Sequence, residues 1–392
     1  VRILFLSSWF PYPTNNGSKI RVYNLLRGLS QCHKITLLSF SDQTEVPSTS
    51  SILDSFCSEI HVVPWKQFRP DSLKARLGFL NSAPRSISDT FSQEMTKNIQ
   101  ELLSTQEYDL LIAQALGTAS YSRYFHGIPA LFEEVELGLP FERFVNADSP
   151  WQRFRYGLTW AKHRHYLAQL LQYYAACTVV SEREQQLLSQ SVPGYNTIEV
   201  IPNCINLADY EHIRRTPEPN CLIFTGSFRY SANYDAMVWF LQEIYPRIQN
   251  QVPDVHLTIT GDHANLSLPH AKDVKLTGFV DDVRPLIASA SISLAPIRVG
   301  GGTRLKILEA MALRTPVVST TKGAEGLDVQ SGKNILLADT PDNLSEMVIL
   351  LLKDPELRQQ IVDNAFSLVS EKYNWAIVMP RLLNLIERIK KP

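Results

Sequence analysis

Short apolar runs recur along the chain, and amphipathic stretches of helical period separate most of them. In the first half, RILFLS (2–7), KITLLSF (34–40), EIHVV (59–63), YDLLIA (108–113), IPALF (128–132) and CTVVS (177–181) predict buried strands. NNGSKIRVYNLLRGLS (15–30) predicts a glycine turn entering a helix. The second half repeats the grammar. CLIFTG (221–226), VHLTITG (255–261), VKLTGF (274–279), SISLAP (291–296) and PVVST (316–320) predict strands, and helices fit at 233–249, 282–289, 303–314, 342–353 and 355–371. Alternation of this kind favours parallel sheets with helices on both faces. Between the halves, PNCINLADYEHIRRTPEPN (202–220) is polar and proline-flanked, as a linker is. The pattern predicts two doubly wound α/β domains in tandem, 1–202 and 203–372, and a closing segment, 373–392, with helical spacing.

One stretch breaks the usual division of apolar and polar faces. In GGGTRLKILEAMALRTPVVST (300–320), Leu305, Leu308 and Ala312 fall on one side of a helix, and Ile307, Ala310 and Met311 on the other. Glu309 lies between the two flanks, with Lys306 one turn earlier on the same edge. A helix apolar on both flanks is usually buried, and a carboxylate within it needs partners or a job.

Composition narrows the class. The 392 residues are 44% hydrophobic and 20% charged, and 38 Lys plus Arg against 39 Asp plus Glu leave a net charge of -1. That balance argues against a nucleic-acid partner. Five cysteines (32, 57, 177, 204, 221) are scattered with no CxxC pair. Neither a disulfide framework nor a zinc site is expected from them, and a reducing cytoplasm fits. The opening RILFLSSWFPYP is stopped by Pro11 and Pro13 and reads as a first strand rather than a signal peptide. No window approaches the roughly 18 apolar residues of a membrane span. Residues 64–90 and 149–181 differ from the rest. The first carries five Lys or Arg against Asp71 before Asp89, the second has Arg153, Arg155, Lys162 and Arg164 with no acid, and aromatic residues interleave both. They are either solvated faces or a basic, aromatic surface for anionic lipid head groups, which would place the protein at the inner face of the plasma membrane.

In open parallel sheets, ligands collect beyond the carboxyl ends of the strands, and the candidate chemistry falls there. Gly17, between the first strand and the first helix, lets backbone approach a phosphate beside free helix N–H groups. Gly300, Gly301, Gly302 and Thr303 precede the second-half helix, and Arg304 and Lys306 add positive charge where the helix dipole opposes it. A diphosphate would resolve that conflict. Val280, in GFVDD (278–282), offers main chain to a flat base, while Asp281 or Asp282 can cap the next helix. Glu133, Glu134 and Glu136 follow the strand IPALF. They form either a solvated loop or a group in which mutual repulsion raises a pKa and creates a proton carrier. His126 falls at the wrong strand end, and His163 and His165 do not share a helix face, so no metal ligand set emerges.

FTGSFRYSANYDAMVWFLQEIYP, VKLTGFVDDVRPLIASASISLAPIRVGGGTRLKILEAMALRTPVVSTTKGAEGL, the closing EKYNW and the opening SSWFPYPTNNGSKIRVYNLLRGLSQCHKITLLSF together resemble bacterial family-4 glycosyltransferases. The likeness is strongest to their polysaccharide-assembly branch. It is dense over 220–375, recognisable at 1–40 and 176–206, and thin at 45–175. The resemblance implies the GT-B fold, two Rossmann-like domains with a cleft between them. It also implies retaining transfer of a sugar from a nucleotide diphosphate to a glycan or lipid-linked acceptor, without a metal ion or other cofactor. By family frequency the donor is a UDP-hexose such as UDP-glucose. The donor would bind the 203–372 domain and the acceptor the 1–202 domain, with the closing helix crossing back to the first domain. Glu309 matches the last Glu of the family's E-x7-E motif, which holds the ribose hydroxyls. Gly302 and Thr303 match the amides that meet the diphosphate, and Gly17 matches the glycine that approaches it from the first domain. Two departures stand out. The first Glu of the motif falls at Gly301, and the Arg and Lys that many relatives carry after the first strand of this domain fall near Ser227 and Asn233. Arg304 and Lys306 are the candidates to supply that charge. Two other classes stay open: a nucleotide-sugar epimerase or hydrolase on the same architecture, and a non-catalytic nucleotide-binding subunit of a polysaccharide assembly complex.

Overall fold

The computed structural model describes residues 1–14, 16–42, 48–78, 81–301 and 304–390. The chain divides into two compact units, Val1–Pro202 with Met379–Pro392, and Asn203–Val378. Each is built on a wholly parallel sheet.

In the first unit the strands are β1 (Arg2–Ser7), β2 (Lys34–Ser41), β3 (Glu59–Pro64), β4 (Leu110–Gln114), β5 (Ala130–Glu133), β6 (Ala176–Val179) and β7 (Ile198–Val200). Their order is β3-β2-β1-β4-β5-β6-β7. β1 and β4 are buried along nearly their whole length, as central strands covered by helices on both faces must be. The order reverses between β1 and β4, which makes their carboxyl ends the switch point of this sheet. The second unit contains β8 (Cys221–Thr225), β9 (His256–Thr260), β10 (Val274–Gly278), β11 (Ile292–Ala295), β12 (Val317–Ser319) and β13 (Leu336–Leu337). Their order is β10-β9-β8-β11-β12-β13, so the second switch point lies between β8 and β11. The strands that carried an apolar run are present. β7 and β13, three and two residues long, are too short to print one.

Two helical expectations are refined. The helix predicted over 233–249 is a longer run, Ser231–Trp239, a wide π turn at Phe240–Ile244, then Tyr245–Gln251. Pro246 has no N–H to donate one turn back, and the wider turn absorbs that gap. The helix after the glycines runs Leu305–Ala312, with both flanks buried and Lys306 and Glu309 half-buried between them. The last helix, Trp375–Ile389, starts in one unit and ends in the other. Its Met379 packs into the space that Gly28, on the helix Gly17–Leu29, leaves by lacking a side chain. No helix among the described residues is long and apolar enough to cross a membrane.

Candidate active site

At the carboxyl end of β5, one strand along from the switch point of the first sheet, the three predicted carboxylates separate into different roles. Glu133 ends β5 and is fully buried, and Arg21, buried on the helix Gly17–Leu29, claims it. Arg21 Nε donates to Glu133 Oε1 at 2.9 Å, and its Nη2 reaches the same oxygen. The guanidinium also donates to the carbonyls of Ile201 (2.9 Å) and Pro202 (3.1 Å). A buried charge is tolerated only with such partners, so Arg21 and Glu133 form a fixed brace. Glu133 Oε2, among the described residues, is a buried oxygen without a hydrogen-bond donor.

Glu134 is the half-buried residue next to it, in a left-handed backbone conformation with φ 65°. Its N–H donates to Thr178 Oγ1 at 2.9 Å, and its Oε2 accepts from Gln114 Nε2 at 2.7 Å. Gln114 ends β4 and accepts from Ser8 N at 3.2 Å, so β1, β4 and β5 are linked through one amide. Ala115, directly after β4, is also left-handed, with φ 62°. Such strain, worth about 1–3 kcal/mol each, persists where surrounding structure enforces it, often at functional sites. Burial raises the Glu134 pKa to about 7, with Glu133 and Glu136 adding repulsion against the pull of Arg21 and the Gln114 hydrogen bond. Glu136 is exposed at the surface. Partial desolvation, then Glu184 and Glu142, push its pKa up. Glu184 itself is occupied, accepting from Leu137 N (2.8 Å) and Gly138 N (2.9 Å) at the start of the next helix. Gly17 begins its helix behind Asn16, whose side chain caps Lys19 N at 3.0 Å. His163 stays neutral more readily than a free histidine because burial lowers its pKa.

At the switch point of the second sheet, the charge is reversed. Lys306 donates to Asn233 Oδ1 at 3.0 Å, with its ammonium 4.1 Å from the ring centre of Phe224 in β8. Asn233 in turn donates to the carbonyl of Ser227 at 2.8 Å, and Ser227 Oγ donates to the Asp262 carbonyl at 3.2 Å. Ser227, Asn233 and Lys306 are therefore one connected group. Burial, with Arg304 repulsion added, pulls the Lys306 pKa down to about 7 against the attraction of Glu309. Gly226 sits under this group at φ 147°, and a Cβ there would lie 2.7 Å from Asn233 Nδ2 and 2.9 Å from Lys306 Nζ. Only glycine admits the ammonium at that point.

Arg304 is nearly buried and braces the glycine loop: Nη1 donates to the Gly301 carbonyl at 2.7 Å and Nη2 to that of Gly300 at 3.0 Å. Gly300 has φ 93° and no room for a Cβ, which would strike the Tyr230 hydroxyl. Gly302 and Thr303, the predicted diphosphate amides, lie outside the described residues. Glu309 accepts from Tyr210 Oη at 3.2 Å. Burial raises the Glu309 pKa, while that hydrogen bond, Lys306 and Arg284 hold it down. Arg284 forks onto Asp282 at 2.8 and 2.9 Å, reaches the Asp209 carbonyl, and lies over the Tyr210 ring. Asp282, not Asp281, accepts from the first helical N–H, that of Arg284, at 3.0 Å. Val280 is half-buried just ahead of that turn.

Sequence reasoning did not single out Arg21, Gln114, Thr178, Tyr210 or Arg284. Arg21 sits on a predicted helix and could have been flagged as a charge on its inner face. Tyr210 falls in the polar linker, where no periodicity marks it.

The architecture is GT-B. Over 99% of both chains it superposes on the crystal structure of Anabaena HepE in complex with UDP-glucose (TM-score 0.67, 14% identity). It also superposes on sucrose-phosphate synthase from Thermosynechococcus elongatus (TM-score 0.70, 15% identity, 99% of both chains). Residues 219–354 match the family model described as glycosyl transferases group 1. The chain is similar along 95% of its length, at 20% identity, to 96% of an uncharacterized 44.6 kDa protein in the cps region of Klebsiella pneumoniae. A 27% identical stretch, 36% of this chain, matches 41% of a GDP-mannose-dependent mannosyltransferase of Corynebacterium glutamicum. Fold and domain together define a glycosyltransferase.

Proposed function

We propose that the protein transfers a sugar, with retention, from a nucleotide diphosphate to a hydroxyl of a glycan or lipid-linked acceptor in polysaccharide assembly. The observation that carries this is the Ser227–Asn233–Lys306 group beside the glycine loop braced by Arg304. It concentrates cationic and amide donors at the switch point of the sheet, where a diphosphate leaving group gains negative charge as the glycosyl bond breaks. Glu309 holds the ribose hydroxyls, Val280 meets the base, and Gly17 approaches the diphosphate. The donor binds the second unit. The acceptor binds the first, where Glu134 receives or shares the hydroxyl proton. No divalent metal takes part, since cations of the chain itself stand at the leaving group. The UDP-glucose complex of the HepE structure supports a UDP-hexose donor, the mannosyltransferase relative a GDP-mannose one, and the family frequency the former.

The test is release of nucleotide diphosphate from a panel of UDP- and GDP-sugars, with and without lipid-linked acceptors, after exhaustive EDTA treatment. Acceptor-dependent release in EDTA is expected. Equal release without acceptor indicates a hydrolase, binding without turnover an inert subunit, and rescue by manganese removes the metal-free account.

A membrane-facing role at the inner leaflet rests on two exposed segments of the first unit. Leu73 and Leu77 stand out beside Lys74 and Arg76, and Trp151, Phe154 and Leu158 beside Arg153 and Arg155. Lys162 ties the two together by donating to the Gly78 carbonyl at 2.5 Å. Each basic residue near an anionic surface contributes about 1 kcal/mol. Cosedimentation with phosphatidylserine vesicles, weakened by salt and by Trp151→Ala with Phe154→Ala, is expected; no pelleting at low salt removes the membrane role.

A further inference from the structure

The amino ends of β8 and β9, at the far end of the second sheet from the groups above, hold a second cluster. Cys221 opens β8 and His256 opens β9, and the two are register partners in the parallel pair. Side chains of such partners project from the same face. Glu218 lies three residues before Cys221, in a turn closed by Cys221 N donating to the Glu218 carbonyl at 3.3 Å, with Asn220 left-handed at φ 57°. The turn folds the Glu218 side chain back over the strand ends, where its Oε2 comes 3.7 Å from His256 Nε2.

We propose that Glu218, Cys221 and His256 form a binding site for a divalent zinc-like cation. The Sγ, the imidazole nitrogen and the carboxylate oxygen all lie within 4.8 Å of one another. Zinc bonds of about 2.0–2.3 Å imply tetrahedral edges of about 3.5 Å, so closure needs only rotation of the two solvent-facing side chains. Thiolate, imidazole and carboxylate are the donor set that zinc takes, and three protein ligands leave a fourth position for water.

The frame around the site is set before any ion arrives. Glu218 N donates to the Ser289 carbonyl at 2.8 Å, Ser291 Oγ donates to the Glu218 carbonyl at 2.6 Å, and His256 N donates to the Asn220 carbonyl at 3.1 Å. His256 Nδ1 lies 3.5 Å from the Asp254 carbonyl. A proton on Nδ1, shared with that carbonyl, leaves Nε2 as the ligating nitrogen, the usual outer-shell arrangement of metal-bound histidine. Ligation displaces the Cys221 thiol proton to solvent, and no electron moves. The sequence offers no hint of this site, because 35 residues separate two of its members and only the strand register joins them. The cation here stands at the wrong strand ends to touch a leaving group at the switch point, so it staples the amino ends of β8 and β9 and takes no part in transfer.

Cobalt(II) added to the chelator-treated full chain tests this. One equivalent should give a saturable thiolate-to-cobalt absorption in the near ultraviolet, displaced by zinc. Cys221→Ser should abolish the band, and Cys32→Ser, at an exposed cysteine, should leave it. His256→Ala and Glu218→Gln should each weaken zinc binding by about a hundredfold or more, given that even outer-shell changes cost ten- to a hundredfold. No saturable band, a band that survives Cys221→Ser, or unchanged zinc affinity in both His256→Ala and Glu218→Gln overturns the assignment. Both surface variants leave the core intact, and sugar transfer in EDTA is unaffected by either result.

Discussion

The carboxyl ends of the two sheets have the same topology and opposite chemistry. Beyond β4 and β5 the first unit sets Glu133, Glu134 and Glu136, and its buried cation, Arg21, is already bound to Glu133 and two carbonyls. Beyond β8 and β11 the second unit sets Lys306 and Arg304 over glycines whose backbone no other residue could follow. Its half-buried acid, Glu309, is held by a tyrosine hydroxyl. The strain differs too. Just after β4 and β5, Ala115 and Glu134 are held left-handed at a cost, while after β8 and β11 positive φ falls to Gly226 and Gly300, which adopt it freely. A doubly wound sheet thus fixes where a ligand sits, and residue type at the strand ends decides its charge. The acidic end suits an uncharged hydroxyl compound that must lose a proton, and the cationic end suits a phosphate.

The largest effect should come from the acidic end. General acid–base groups typically contribute 10²–10⁴-fold, and Glu134, with a pKa raised to about 7, is suited to that work near neutrality. Because the carboxylate form accepts the proton, turnover should rise as pH climbs through about 7 in the parent enzyme. Glu134→Gln should lower kcat by about a hundredfold and remove that limb of the pH profile while leaving nucleotide affinity unchanged. Glu133→Gln should instead act on stability, since it leaves Arg21 buried without its countercharge. A parent-like pH profile in Glu134→Gln would leave the acidic end without its proton carrier.

The contrast between the units was only partly legible in the sequence. Apolar runs printed the central strands, because strands buried on both faces carry no polar interruption. The helix Leu305–Ala312 announced its burial through residues on both flanks, and its carboxylate through position alone. What did not print were contacts made across the fold. Helical spacing pairs Lys306 with Glu309, yet the side chain reaches Asn233, 73 residues away, because Gly226 leaves the space. The three glutamates looked alike in a row. Only the burial of Arg21 against β5 separates the braced Glu133 from its neighbour Glu134. Tyr210 enters the site from a segment whose polarity reads as linker.

The cationic end is tested by one calorimetric series, UDP and uridine titrated into three proteins. Hydrogen bonds to a charged group are worth roughly 1.5–3 kcal/mol, so Glu309→Gln should weaken UDP and uridine alike by about ten- to a hundredfold. A merely structural Glu309 would lower the melting temperature and leave both affinities intact. Lys306→Met should have the smaller effect, about tenfold, or about 1.4 kcal/mol, and on UDP alone, since uridine has no phosphate to meet it. The pH dependence carries the sign. With its pKa pulled down to about 7, Lys306 is largely neutral at pH 8 in the free protein. An anion favours the ammonium, so UDP binding at pH 8 should take up close to one proton and weaken as pH rises further. Titrations in buffers of different ionisation heat read that uptake directly. It should vanish in Lys306→Met and persist in Glu309→Gln. Proton uptake that survives in Lys306→Met would move the titrating group elsewhere and leave the second sheet without its phosphate cation.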